Sequence, residues 1–108
     1  MALTREFKTT IAARAQRDAR FRAAMLTEAV NALLAGEVDA GKAMMRDYVN
    51  ATVGFERLAE NVRIPSKSVQ RMLGPGGNPT AQNIFAIIQA LQEFESLSLE
   101  VKGRRTAA

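Results

Sequence analysis

Residues 55–73, Phe-Glu-Arg-Leu-Ala-Glu-Asn-Val-Arg-Ile-Pro-Ser-Lys-Ser-Val-Gln-Arg-Met-Leu, read as two short helices joined by a tight turn. Phe55, Leu58, Ala59 and Val62 recur at i, i+3, i+4 and i+7, so the first segment carries one continuous apolar stripe. Pro65 bars that helix from continuing: it offers no N–H, and its ring pushes Ile64 out of the αR region. Ser66 is the expected cap of a second helix whose apolar positions are Val69, Met72 and Leu73. The opposite face of that helix carries Lys67, Ser68, Gln70 and Arg71, with no acidic group among them.

Two helices so related form the pattern of a helix-turn-helix, in which the second helix enters the DNA major groove. An ordinary αα-corner in a helical protein is the competing reading. The chain carries a net charge of +4, and its distribution matters more than its size. No acidic residue occurs between Glu60 and Glu93, while Arg63, Lys67 and Arg71 fall inside that gap. Residues 36–62 are acidic on balance, with Glu37, Asp39, Asp47, Glu56 and Glu60 against Lys42, Arg46 and Arg57. A second basic cluster, Arg14, Arg17, Arg20 and Arg22, lies near the N-terminus, and Lys102, Arg104 and Arg105 form a basic tail. Phosphate backbones attract such patches through counterion release. For the tail, a solvated, frayed end is the plainer account.

The chain has 108 residues, which suits one domain, 1–101, followed by a tail at 102–108 expected to be disordered. Cysteine and histidine are both absent, so a zinc site, a His general base and a thiol nucleophile are excluded at once. No Asp/Glu cluster has the spacing of a metal-binding loop, and neither metal nor cofactor is expected. The apolar runs fall far short of a membrane span, and no basic segment followed by an apolar one opens the chain. No membrane partner and no secretory signal are therefore expected, and the lack of cysteine fits a reducing, cytoplasmic compartment.

The expected fold class is all-α: a bundle of about six helices containing the helix-turn-helix at 55–73 and a helical N-terminal extension at 4–53. Thr4 or Thr10 starts a first, alanine-rich helix running to about Arg17, and Asp18 caps a second with a wide apolar face from Phe21 to Leu34. Gly36 supplies the αL stop, Asp39 the next cap, and Met44, Met45, Tyr48, Val49 and Thr52 the next stripe. Gly74-Pro75-Gly76-Gly77-Asn78-Pro79 is turn chemistry throughout. Thr80 caps a last long helix whose Ile84, Phe85, Ile87, Ile88, Leu91 and Phe94 imply burial on most sides. Leu97–Val101 alternates with period two, as a short strand pairing across a dimer or as a loose extension.

With Ala59 at the close crossing of the two short helices, the turn position falls on Arg63, where glycine is usual because the backbone tends to positive φ. Lys67, Gln70 and Arg71 then point away from the apolar face. Glutamine can bond adenine at two points, and arginine or lysine can bond guanine O6 and N7, so these three are the expected base readers. Arg63, Ser66, Ser68, Asn78 and Thr80 flank them as expected contacts to the DNA backbone. Gln82 and Asn83 are weaker candidates for that role. The glycine-rich loop lacks the lysine and spacing of a P-loop. Ser66, Lys67 and Ser68 do not face one another on a helix, so no catalytic constellation assembles and no enzyme is expected.

Leu58-Ala59-Glu60, Ile64-Pro65-Ser66-Lys67-Ser68, Arg71-Met72-Leu73 and Gly77-Asn78-Pro79-Thr80 resemble the Cro/repressor-type (XRE) helix-turn-helix superfamily over residues 55–94. The run through Gly-Asn-Pro-Thr into an apolar helix is similar to the addiction-module antidote proteins, the HigA-like antitoxins. The resemblance departs at Arg63, and it does not extend to the N-terminal half. It implies a small bacterial or phage regulator that binds double-stranded DNA as a homodimer, lies in the cytoplasm or on the nucleoid, and represses transcription. For antidote-type relatives it also implies neutralisation of a ribonuclease-like toxin.

A sequence-specific regulator is thus the leading expectation. The alternative is a protein-interaction module, toxin-neutralising or adaptor, with little DNA binding; it is motivated by the apolar face of residues 21–34 beside Met44 and Met45. RNA binding has little support, because the chain holds a single tyrosine and no aromatic residues interleaved with its basic ones.

Overall fold

Side-chain caps fix where three of the helices begin. In the computed structural model, which describes residues 4–107, the Thr4 hydroxyl accepts the Phe7 N–H at 3.1 Å and starts α1, Arg5–Arg17. Met1–Leu3 of the expected domain and Ala108 of the expected tail lie outside the described residues. Asp18 closes α1 and opens α2, Ala19–Leu34, its carboxylate accepting the Phe21 N–H at 3.0 Å. That backbone donor, opposed in part by desolvation and aided by Arg14, holds the Asp18 carboxyl below the ordinary aspartate value. Thr80 caps α6, Ala81–Glu95, by accepting the Asn83 N–H at 3.1 Å.

Between these lie α3, Val38–Ala51, α4, Phe55–Val62, and α5, Ser66–Met72. Gly36, at φ 83°, ends the α2 turn in the left-handed region as the sequence predicts. Asp39 is not the cap of α3. The helix begins at Val38 with Glu37 as N-cap, no side chain caps it, and Asp39 sits within the first turn. No strand forms among the described residues. Leu97 and Leu99 instead turn inward against the core, and the Leu99 N–H donates to the Gln92 side chain at 2.8 Å. One amide acceptor thus satisfies a backbone donor that a strand partner would otherwise have to meet. Residues 102–107 are exposed and without regular structure.

One core gathers Leu26 and Ala29 of α2, Met45, Tyr48 and Val49 of α3, Leu58 and Ala59 of α4, Val69 of α5, and Ile87 and Leu91 of α6. Burying such side chains contributes about 1.5–3 kcal/mol each before entropy is counted, which is what holds short α4 and α5 in place. The face of α2 from Leu26 to Ala32 is therefore spent on the protein's own core. The last helix is less enclosed than its composition implies: Ile87, Ile88, Ala90 and Leu91 are buried, but Phe85 is 66% exposed. Met44 likewise faces outward while Met45 is buried.

A polar network crosses this core. The Arg22 Nε donates to both carboxylate oxygens of Glu95, at 3.1 and 2.9 Å, and its Nη1 donates to the Ala15 carbonyl at 2.6 Å. The Tyr48 hydroxyl donates to the same carboxylate. The network ties α1, α2, α3 and α6 together. It also reduces the expected N-terminal basic cluster, because the partly buried Arg22 is paired with Glu95, while Arg17 and Arg20 stay exposed. Arg14 is engaged too, paired with Asp18 at 3.5 Å and stacked 4.4 Å from the Phe21 ring centroid.

Candidate nucleic-acid interface

The short helices α4 and α5 form a corner because Arg63 adopts the left-handed conformation, φ 58° and ψ 42°. The departure from glycine at this position is accommodated by the backbone itself, not by a differently built turn. The Ile64 N–H reaches back to the Ala59 carbonyl at 3.2 Å, and Pro65 then starts α5. Leu58 and Ala59 on α4, Val69 on α5 and Leu73 at the α5 C-cap are buried, so the crossing is dry and small-sided as the sequence predicts.

Ser66 is not the cap of α5. Pro65 occupies that position, its carbonyl accepting from the Ser68 and Val69 N–H groups at 2.9 and 3.1 Å, while Ser66 lies inside the helix. A proline with φ −54° and ψ 141° already points its carbonyl along the new helix, so no side-chain cap is needed. The Ser66 hydroxyl instead accepts the Gln70 side-chain amide at 3.1 Å.

Lys67, Gln70 and Arg71 are exposed, and none forms an ion pair among the described residues. Clefts on the two sides of α5 divide the remaining candidates. Ser68, Arg71, Asn78 and Thr80 line one together with Asn83 of α6. Gln70 lines another with Arg46, Asn50, Phe55 and Glu56. Arg63 and Lys67 are exposed but line neither of these two clefts. The Thr80 hydroxyl is occupied as the α6 cap, which leaves less of it for an outside ligand. Asn78 is exposed.

What fixes α5 from behind is a pair of cations on α3. Lys42, only 3% exposed, donates from Nζ to the Gly77 carbonyl at 2.5 Å and to the Gly74 carbonyl at 3.4 Å. Arg46, one turn on, donates from Nη1 to the Leu73 carbonyl at 2.9 Å. Both satisfy carbonyls at or beyond the C-terminal end of α5, where the helix dipole also favours positive charge. Gly77 itself is tight against α5: a Cβ there would run into the carbonyl oxygens of Arg71 and Met72. Its lack of a side chain lets the loop fold back under the helix.

No protein-family model, characterised protein or solved structure matches this chain. Site chemistry therefore stands on the residues alone.

Among the described residues no three His, Cys, Asp or Glu side chains gather as a metal site would require. No helix among the described residues is long and apolar enough to cross a membrane. Sequence reasoning missed Lys42 and Arg46 as supports of the site. Lys42 shares the helical stripe of Met45 and Val49, and a charge in an apolar stripe was the available signal.

Proposed function

We propose that the protein is a sequence-specific, double-stranded-DNA-binding transcriptional repressor acting as a homodimer. The observation that carries this reading is the outer edge of α5, where Lys67, Gln70 and Arg71 stand exposed, the two cations without an ion pair among the described residues, on a helix pinned at its C-terminal end by Lys42 and Arg46. A helix so held presents its side chains at fixed positions, which base reading needs. In this mechanism Arg63, Ser68 and Asn78 contact phosphates and set the register, while Gln70 and the two cations bond base edges in the major groove. Gln70 exchanges its exposed bond to Ser66 for one to a base. Occupancy of the operator then blocks polymerase, in the cytoplasm of a bacterial cell.

The resemblance of residues 55–94 to antidote-type regulators supports a narrower version, in which the protein is also the antitoxin of a toxin–antitoxin pair. The partner would be a ribonuclease-like toxin encoded beside it.

One observation favours a second reading as a protein-interaction module. Leu34, Val38 and Phe85, each more than half exposed, rim an apolar cleft between the α2–α3 junction and the start of α6. Exposed apolar groups gathered in this way suit a protein partner.

Selection of duplexes from a random-sequence pool separates the two. The repressor reading expects enrichment of an inverted repeat whose half-sites lie about 10 base pairs apart, with affinity falling steeply as salt rises. A pool that stays unenriched, with weak binding indifferent to salt, contradicts it and leaves the interaction module.

A further inference from the structure

Arg5, Lys8, Thr9 and Ala12 follow one another at i, i+3, i+4 and i+7 and so occupy one face of α1. That face looks onto the last turns of α3, where Asp47, Asn50 and Ala51 complete an open cleft of about 520 Å³. Arg5 and Lys8 are exposed, and neither is ion-paired among the described residues. Asp47 is the single carboxylate lining the cleft, so the balance there is positive. The cleft is not isolated. Asn50 also lines the cleft that holds Gln70 beside α5, so the basic wall of α1 and the polar edge of α5 adjoin through one residue. Asn50 is exposed.

We propose that the α1–α3 cleft binds the sugar–phosphate backbone of duplex DNA alongside the bases read by α5, with Arg5 and Lys8 as its cations. The inference rests on the DNA-binding reading above and deepens it. A guanidinium can take two phosphate oxygens at once, an ammonium supplies a point charge, and a carboxamide donates a neutral bond. None of these contacts reads sequence, so the cleft contributes affinity and orientation but no base preference. It also gives α1, which lies outside the helix-turn-helix, a part in the interface. The neighbouring cleft, which Asn50 shares with Gln70 and Arg46, also carries the Glu56 carboxylate.

The test compares the full chain, an Arg5→Ala/Lys8→Ala variant and an Arg17→Ala/Arg20→Ala variant of equal charge on a mixed-sequence duplex. Arg17 and Arg20 are also exposed, at the far end of α1 and the start of α2. Affinity is read by fluorescence anisotropy at about 50 and about 200 mM salt, with helicity checked by circular dichroism. Loss of two phosphate contacts lowers the salt slope by about 2, so the gap between wild type and Arg5→Ala/Lys8→Ala shrinks about ten-fold across that salt range. The second variant keeps the wild-type slope, and duplexes selected by Arg5→Ala/Lys8→Ala show the wild-type base preferences. If wild type binds but Arg5→Ala/Lys8→Ala retains its slope, or both variants lose equally, the cleft assignment is wrong while DNA binding stands. If wild type itself shows no salt-dependent binding, the DNA-binding reading falls and the cleft falls with it.

Discussion

Lys42 reaches from α3 to the carbonyl oxygen of Gly77, 2.5 Å from its Nζ, and joins the N-terminal half of the chain to the loop that closes α5. The stem of the lysine is buried, so its charge is held where water cannot replace the bond. Lys42→Met keeps the length and packing of the stem and removes the donor. The Gly77 carbonyl then loses its lysine donor, while the Gly74 carbonyl keeps the Gly77 N–H at 3.1 Å, and urea unfolding should show a loss of about 2 kcal/mol. An unchanged midpoint would mean that the cation is incidental to the loop. DNA affinity should fall further than stability alone requires, because α5 loses one of its two supports.

Arg63 is expected to show effects of opposite sign on stability and binding. A left-handed conformation costs a non-glycine residue about 1–2 kcal/mol, and part of this is recovered on substitution by glycine. Arg63→Gly should therefore unfold at the same or a higher temperature, by up to about 1 kcal/mol of added stability. The same change removes a proposed phosphate contact and should weaken binding evenly across sequences. Thermal denaturation and anisotropy on one sample check both. A destabilised Arg63→Gly would contradict the backbone account.

Tyr48 gives a pH signature that one band can follow, because it is the single tyrosine of a chain without tryptophan. Burial, then the hydrogen bond to Glu95, raise its pKa far above the ordinary value of 10.0. The folded protein thus holds the phenolic proton more tightly than the unfolded chain does. The resulting stability is complete below the unfolded pKa, about 10, and is lost as pH rises through the folded one. Ultraviolet titration should show no phenolate in the folded protein near pH ~10.5, where an exposed tyrosine is mostly ionised. Alkaline loss of thermal stability should be shallower in Tyr48→Phe than in wild type. A phenolate band appearing at the ordinary pKa without unfolding would contradict the burial.

Much of the fold is legible because it is local. Thr4, Asp18 and Thr80 each bond a backbone N–H three residues on, and Gly36 supplies its own αL stop, so short windows of sequence contain the whole cause. Ser66 misled for a local reason as well: a serine after a proline looks like a cap, yet the Pro65 carbonyl already fills that place. Features made by tertiary approach stay hidden. Arg22 and Glu95 are 73 positions apart, so their pairing, and with it the neutralisation of one basic residue, has no sequence pattern. Phe85 looked buried because α6 is apolar on most sides, but the core reaches only Ile87, Ile88, Ala90 and Leu91 fully. At the candidate site the exposed edge of α5 was readable from helical spacing. Its supports, Lys42 and Arg46, come from a helix far away in sequence.

The affinity of Arg71→Ala for a selected operator duplex and for a mixed-sequence one tests most directly the proposal that the edge of α5 reads bases. Exposure of Arg71 makes a folding defect an unlooked-for outcome, and circular dichroism verifies that the helices are intact. Binding to the operator should weaken by about 1–3 kcal/mol, with preference relaxed at one base position and mixed-sequence binding reduced far less. Wild-type affinity on both duplexes would contradict the assignment of α5 as the helix that reads DNA.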